Sequence, residues 1–282
     1  MSKSQKFVDA RLTYLSPACT SSHVYYTRSN TVDTAHYSAR SVQIRNARLA
    51  IQSPSLESTG FSLLRNRTTV SDFSSRDAMP AYADELSGVL RELTGADTAI
   101  MFGWYFRDTA TPSSSFEFNR QTEEVHTDYA FDHADYMLRS MLLRVGCKDR
   151  VPRRVALFNV WRPVSEPPQD LPLALCDCRT VEPGDSVRSE RIGVDEIPGP
   201  SQLVRDSPPD PRRPAWQRFR FSARHRWYYF PDMTRDEALI FRCYDSESGS
   251  TRSVPHAAFR DPTVASGISR RSLDVRVAAY YF

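Results

Sequence analysis

The chain has 282 residues, 40% of them apolar and 11% aromatic, and a formal charge of +3. That is enough apolar mass for a sizeable core, while the interleaving of basic and acidic residues argues against a nucleic-acid partner. No run of about 18 apolar residues and no apolar leader is present, so the expectation is a soluble, cytoplasmic protein with no membrane partner.

The five cysteines, Cys19, Cys147, Cys176, Cys178 and Cys243, are scattered. They form no disulfide framework, and the CDC pair lacks the second pair a zinc site needs. Of the 37 basic residues only Lys3, Lys6 and Lys148 are lysines, which leaves many guanidinium forks suited to planar carboxylates.

In chain order, residues 1–75 read as irregular strands and loops. The clearest is SVQIRNARLAI, where Val42, Ile44 and Ala47, then Leu49 and Ile51 after a slip, alternate with period two. DAMPAYADELSGVLRELTG then predicts a helix: Asp77 and Pro80 are start signals, Ala83, Leu86, Val89, Leu90 and Leu93 share a face, and Gly95 stops it. TAIMFGWYFRD follows as a strand. From Ala130 the spacing of Ala134, Leu138, Met141, Leu142 and Val145 predicts a second helix ending at Gly146.

RVALFNVWRP (154–163) and LPLALCDCRTV (171–181) read as strands. Residues 182–215 are rich in Pro, Ser, Asp and Arg and predict a long loop or lid. RFRFSARHRWYYF reads as one aromatic strand, and RRSLDVRVAAYYF as a terminal strand inside a sheet. Many short strands with few helices favour a mainly β fold with supporting helices, a double-stranded β-helix or cupin-like jelly roll. The chain is read as one domain over 1–282, with residues 1–100 an N-terminal extension carrying a helix and 101–282 the jelly-roll core.

EEVHTDYAF, residues 123–131, raises the question of a metal. His-x-Asp is frequent by chance, and His133-x-Asp135 is a second copy. Geometry separates the two. On a strand, His126 and Asp128 point to one face; on a helix, residues two apart diverge, so His133 and Asp135 cannot share an ion. A third ligand must then come from His23, His36, His225 or His256, because two histidines and a carboxylate on one side of a ferrous ion leave its other side open.

In jelly-roll iron oxygenases the second histidine lies late in the chain, ahead of an arginine that grips the far carboxylate of 2-oxoglutarate. His256 is followed by Arg270-Arg271-Ser272, in which Arg270 and Ser272 share a strand face and could offer a guanidinium fork and a hydroxyl. His256 is therefore the favoured third ligand and His225 its rival.

Taken together, HTDY, FNVWRP, LPLALCDCRTV, RWYYFPDMTRDEALIFRCYDS, PHAAF and RRSLDVR resemble the fungal hydroxylase/desaturase family that includes gibberellin desaturase and the cephamycin-pathway hydroxylase component. The resemblance covers roughly residues 100–282. It implies a non-haem Fe(II)/2-oxoglutarate-dependent dioxygenase with His126, Asp128 and His256 as metal ligands and Arg270 with Ser272 as the cosubstrate clamp. It also implies Fe(II), 2-oxoglutarate and O2 as cofactor and cosubstrates, and hydroxylation, desaturation or ring closure as the outcome. Arg271 departs from the pattern, where an acidic residue is commoner.

In FNVWRP, Asn159 and Arg162 lie on opposite strand parities, so at most one faces the pocket without a bulge. Asn159 is the candidate for the cosubstrate and Arg162 for a substrate carboxylate. Trp227 is the aromatic candidate beside the substrate, although Trp161 and Trp227 both fit a core as well. The expected substrate is a small carboxylate-bearing molecule, an amino acid or a secondary-metabolite intermediate, and the chain is compatible with a homodimer. Two rivals remain: a metal-dependent hydrolase or isomerase on the same barrel, which has no use for R-x-S, and a non-catalytic accessory subunit.

Overall fold

A computed structural model describes residues 5–20, 22–50, 52–73, 75–110, 122–144, 150–203, 208–247 and 253–282. Two sheets dominate it. The smaller has the order β5-β13-β8-β15-β6, built from β5 (Phe61–Arg65), β6 (Thr98–Asp108), β8 (Arg154–Pro163), β13 (Glu237–Asp245) and β15 (Arg271–Tyr281).

The larger begins with β1 (Phe7–Leu15), β4 (Tyr37–Asn46) and β12 (Trp227–Tyr229) and continues through β9 (Leu173–Cys176), β14 (His256–Ala258) and β7 (His126–Thr127). It ends with β11 (Ala215–Phe219), β10 (Ser186–Gly193), β2 (Ser22–Tyr26) and β3 (Thr31–Asp33). The fold is the expected jelly roll.

Strand parity explains where the core sits. On β8, Val155, Leu157 and Trp161 point between the sheets, where they meet Leu173 and Leu175 of the larger sheet and Leu239 and Phe241 of β13. The alternate residues Ala156, Phe158 and Val160 point the other way, with Leu273, Val275 and Val277 of β15, onto helix α1 (Met79–Thr94). A strand buried on both faces reads as a nearly continuous apolar run, as FNVWRP and its flanks do.

Helix α1 is the predicted one. Met79, Tyr82, Leu86 and Leu90 form its buried face, and Gly95 ends it at φ 68°, a left-handed cap that favours glycine. Leu93, placed on that face by spacing, is instead exposed, because the packed stripe runs through Tyr82. Helix α2 (Phe131–Arg144) buries Ala134, Leu138 and Leu142 as expected. Val145 and its predicted stop at Gly146 lie outside the described residues, as does Cys147.

Three expectations are corrected. Residues 182–215 are no continuous loop: they contain the eight-residue strand β10, paired with β11 on one side and β2 on the other. Its buried positions include the polar Ser189 and Glu190, the latter paired with Arg188 and Arg213, so no apolar alternation announces it. RFRFSARHRWYYF breaks after Phe219 and resumes as β12, which lies four places along the sheet from β11 by way of a turn. LPLALCDCRTV ends as a strand at Cys176, where Asp177 accepts from the Arg179 amide and starts a short 3-10 turn.

The first 65 residues supply β1 to β5 to both sheets rather than forming an appendage. Bridges from Thr13 to Glu124 and from Leu15 to Arg220 tie β1 across to the opposite side of its own sheet, enclosing a third apolar cluster around Tyr14 and Trp227. Among the described residues no helix is long and apolar enough to cross a membrane, and Cys19, Cys176, Cys178 and Cys243 are all buried free thiols.

Candidate metal centre and its cavity

Short strands β7 and β14 lie side by side, with His126 and His256 as register partners. Directly opposed residues on one sheet face are near neighbours, and the two imidazoles stand 4.3 Å apart. Asp128, two residues after His126, joins them. Its carboxylate oxygens lie 3.7 Å from His126 Nε2 and 3.5 Å from His256 Nε2, and one ligand atom from each of the three falls within 4.8 Å of the others.

Both rings are oriented the same way. His126 Nδ1 lies 2.8 Å from the Glu124 carbonyl and His256 Nδ1 lies 3.1 Å from the Val254 carbonyl. A carbonyl can only accept, so each Nδ1 carries the proton and each Nε2 keeps a lone pair aimed at Asp128. Burial, reinforced by the neighbouring His126, lowers the His256 pKa to about 4, so the ring is neutral near pH 7, the form that binds a metal. Gly60 helps hold this turn: its φ of 86° and a Cβ that would sit 2.6 Å from Val254 Cγ2 leave room only for glycine.

Asp128 is gripped from behind. Arg276 Nη2 donates to Oδ1 at 3.0 Å and Asn159 Nδ2 donates to Oδ2. Burial alone would raise this carboxyl, but Arg276, then His256 and His126, bring it well below the usual range, so it stays ionised.

His126, Asp128, His256 and Arg276 line a small cavity together with Arg107, Thr122, Trp161, Leu173, Ala258, Arg270 and Asp274. Arg270, Asp274 and Arg276 occupy one parity at and along β15, with Ser272 between the first two. Arg270 is 2% exposed and stacks its guanidinium 5.5 Å from the Trp161 ring, and Nη1 donates to the Leu171 carbonyl. Burial draws its pKa down to about 10, with Asp274 pulling it back, and it remains a cation.

Among the described residues, two polar atoms at this end have no partner: Arg270 Nε and the hydroxyl of Ser272, both buried. Buried donors are rarely left unpaired, and such a pair beside a cation suits a carboxylate. The donor set of two imidazoles and one carboxylate likewise fits a ferrous ion with open positions. The residues present therefore fit both groups.

The structure brings together His126, Asp128, His256 and Arg270 in one cavity, with Ser272 on the same face of β15, and sets other candidates elsewhere. Asn159 donates its amide N–H to Asp128, while among the described residues its buried Oδ1 has no partner. Arg162 is excluded: it is fully buried on the opposite parity, donating to the Tyr82 hydroxyl, the Asn66 carbonyl and side chain, and the Arg235 carbonyl. Trp227 is also set apart from the cavity, since it lies in the apolar cluster around Tyr14 with its indole N–H on the Tyr14 hydroxyl at 2.8 Å. His225 is no ligand, because Asp185 and Tyr14 occupy its two nitrogens. His133 and Asp135 diverge on α2, toward the Pro211 carbonyl and toward Arg139 and Tyr244.

Asp274, Arg276 and Arg107 were missed by sequence reasoning. A signal existed for the first two: in RRSLDVR they continue the parity of Arg270 and Ser272. Trp161, weighed mainly as a core residue, is both, packed in the core and forming the cavity wall.

Residues 12–280 match the family described as Oxidoreductase/YMDC permease-like domain. The hydroxylase/desaturase CTB9 of Cercospora beticola is 28% identical, over 80% of this chain and 72% of that protein. The hydroxylase/desaturase efuI of Hormonema carpetanum is 27% identical, over 87% and 85%. The Fe(II)/2-oxoglutarate-dependent dioxygenase nvfI of Aspergillus novofumigatus is 29% identical, over 71% and 66%. A solved structure of the iron and alpha-ketoglutarate-dependent endoperoxidase NvfI superposes with a TM-score of 0.78 at 24% identity, covering 99% of each chain.

Proposed function

The chain belongs to the Oxidoreductase/YMDC permease-like domain family, and from that premise we propose that it is an Fe(II)/2-oxoglutarate-dependent oxygenase acting on a small organic molecule. The observation that carries this reading is the convergence of His126, Asp128 and His256 within 4.8 Å in the same cavity as the buried Arg270.

His126 and His256 would hold the metal through Nε2 and Asp128 through its carboxylate. Arg276 and Asn159 keep that carboxylate in place and ionised, so the site is organised before the ion arrives. Bound Fe(II), with 2-oxoglutarate and O2, supplies the oxidising power to take hydrogen from an unactivated C–H bond. Arg270 and Ser272 would anchor the far carboxylate of 2-oxoglutarate through a charge-assisted hydrogen bond and a hydroxyl, fixing its keto-acid end toward the metal. Trp161, Leu173 and Ala258 supply apolar wall that excludes water.

Whether the substrate is hydroxylated, desaturated or closed into a ring then rests on which C–H bond the cavity presents. Arg162, the residue expected to grip a substrate carboxylate, is spent in the core, so no carboxylate on the substrate is required. Residues 1–282 are read as a single oxygenase domain, because the N-terminal strands complete both sheets. Four buried free thiols accord with a reducing compartment, and the cytoplasm is the proposed location.

The test is O2-dependent conversion of 2-oxoglutarate to succinate by the Fe(II)-loaded protein, measured across a panel of small molecules. Turnover should require Fe(II) and O2 and vanish in His256→Ala. Equal turnover without oxygen, or with Zn(II) in place of Fe(II), would contradict the assignment.

A further inference from the structure

The cavity face of β15 poses a charge problem. The wall that would receive a dicarboxylate already carries a buried carboxylate, Asp274, 8% exposed, one pleat beyond Ser272 and close enough to Arg270 to act on its charge. Left to itself, Asp274 would repel an incoming diacid and compete for the Arg270 guanidinium. The neighbouring cation Arg276 also acts on the charge of Asp274, but its Nη2 is committed to Asp128 and no hydrogen bond joins it to Asp274 among the described residues.

Arg107 resolves the problem. It stands on β6 as the register partner of Ser272 and reaches diagonally to Asp274, where its Nε donates to Oδ2. Both side chains are largely shielded, 14% and 11% exposed, so the pair is little screened. Among the described residues no hydrogen bond or ion pair joins Asp274 to Arg270, whose Nε remains unpartnered.

We propose that Arg107 is a positioning residue for the cosubstrate. By holding Asp274 in an ion pair, it keeps that carboxylate off Arg270 and leaves the guanidinium available to a diacid. The proposal rests on the assignment of Arg270 and Ser272 as the clamp. It differs from direct binding of the diacid by Arg107, because its effect passes entirely through Asp274.

The experiment is calorimetric titration of 2-oxoglutarate into Mn(II)-loaded protein for wild type, Arg107→Met, Asp274→Asn, the double variant and Arg270→Met, with Tm recorded to confirm folding. Arg107→Met should weaken 2-oxoglutarate binding by about tenfold or more. Asp274→Asn should bind at least as tightly as wild type, and the double variant should return to within about threefold of it. Mn(II) affinity should be the same in all four proteins that retain Arg270.

A double variant as weak as Arg107→Met would overturn the proposal in favour of direct contact. So would wild-type affinity in Arg107→Met, or a parallel loss of Mn(II) affinity, which would place the effect on Asp128. Wild-type affinity in Arg270→Met would instead remove the clamp assignment itself, and is read separately. If Arg107→Met does not fold, Arg107→Lys with and without Asp274→Asn gives the same comparison: a deficit that Asp274→Asn abolishes supports the proposal, and one that persists overturns it.

Discussion

Two groupings of imidazole and carboxylate sit in the larger sheet and its turns, and among the described residues one of them has the donor set proposed here to hold an ion. Around Asp128, His126 and His256 each spend Nδ1 on a backbone carbonyl and turn Nε2 toward the same carboxylate. Around Asp185, His225 spends both nitrogens on side chains, Nε2 at 3.2 Å from the carboxylate and Nδ1 at 3.3 Å from the Tyr14 hydroxyl. Proximity of imidazole to carboxylate is common to both. What separates a ligand set from a structural network is which lone pairs are left unspent and whether they share a focus.

Substitution of one histidine in each cluster should break the resemblance between them. His126→Ala is expected to weaken Mn(II) binding by more than about 100-fold, beyond the effect of losing an outer-shell partner, while His225→Ala leaves it unchanged. Equilibrium dialysis decides this, and comparable losses in both would erase the distinction.

Arg162 sharpens the same point for a cation. Arg162→Met strands acceptors on Tyr82, Asn66 and Arg235 and should cost ~3 kcal/mol or more of unfolding free energy. The 2-oxoglutarate affinity of the folded fraction should stay within about twofold of wild type, as a bracing role requires. A large change in affinity with intact stability would return Arg162 to the pocket.

Trp227→Phe removes one buried hydrogen bond and part of a ring from the cluster around Tyr14. A loss of ~1–2 kcal/mol in chemical denaturation is expected, with no change in cosubstrate binding.

The smallest effect concerns pH. Burial pushes the His225 imidazole below its ordinary value, with Asp185 offsetting part of that. The folded ring therefore stays neutral while the unfolded chain takes up a proton, so stability is full above the ordinary value of about 6.5 and is lost as pH falls below it. Denaturation at pH 7 and pH 5 should show a smaller decline in His225→Gln than in wild type. An identical decline would show that His225 makes no such contribution.

How much of this was legible beforehand follows from the kind of signal each residue leaves. The two helices, the jelly roll and strands β6, β8 and β15 announced themselves through apolar period. His126, Asp128, His256, Arg270 and Ser272 were legible from order and parity together.

Strand β10 was hidden because two of its buried positions, Ser189 and Glu190, are polar, the second held by ion pairs, which erases hydrophobic alternation. Trp227 and Arg162 misled for a related reason: residue type suggested a pocket, but their burial is spent on the Tyr14 and Tyr82 hydroxyls of distant segments, 213 and 80 residues away. Arg276 and Asp274 were within reach, since RRSLDVR carries them on the clamp's own face. Arg107 was not, because only the β6 to β15 register brings it there.

The central claim is that three side chains from separate places in the chain meet on one ferrous ion, with Arg270 holding the diacid that chelates it. Anaerobic titration with Fe(II) and 2-oxoglutarate tests it directly through the weak visible charge-transfer band of the chelate. The band should form in wild type, be absent in His256→Ala, and require a much higher 2-oxoglutarate concentration in Arg270→Ala. A band of wild-type strength and midpoint in both variants would contradict the account.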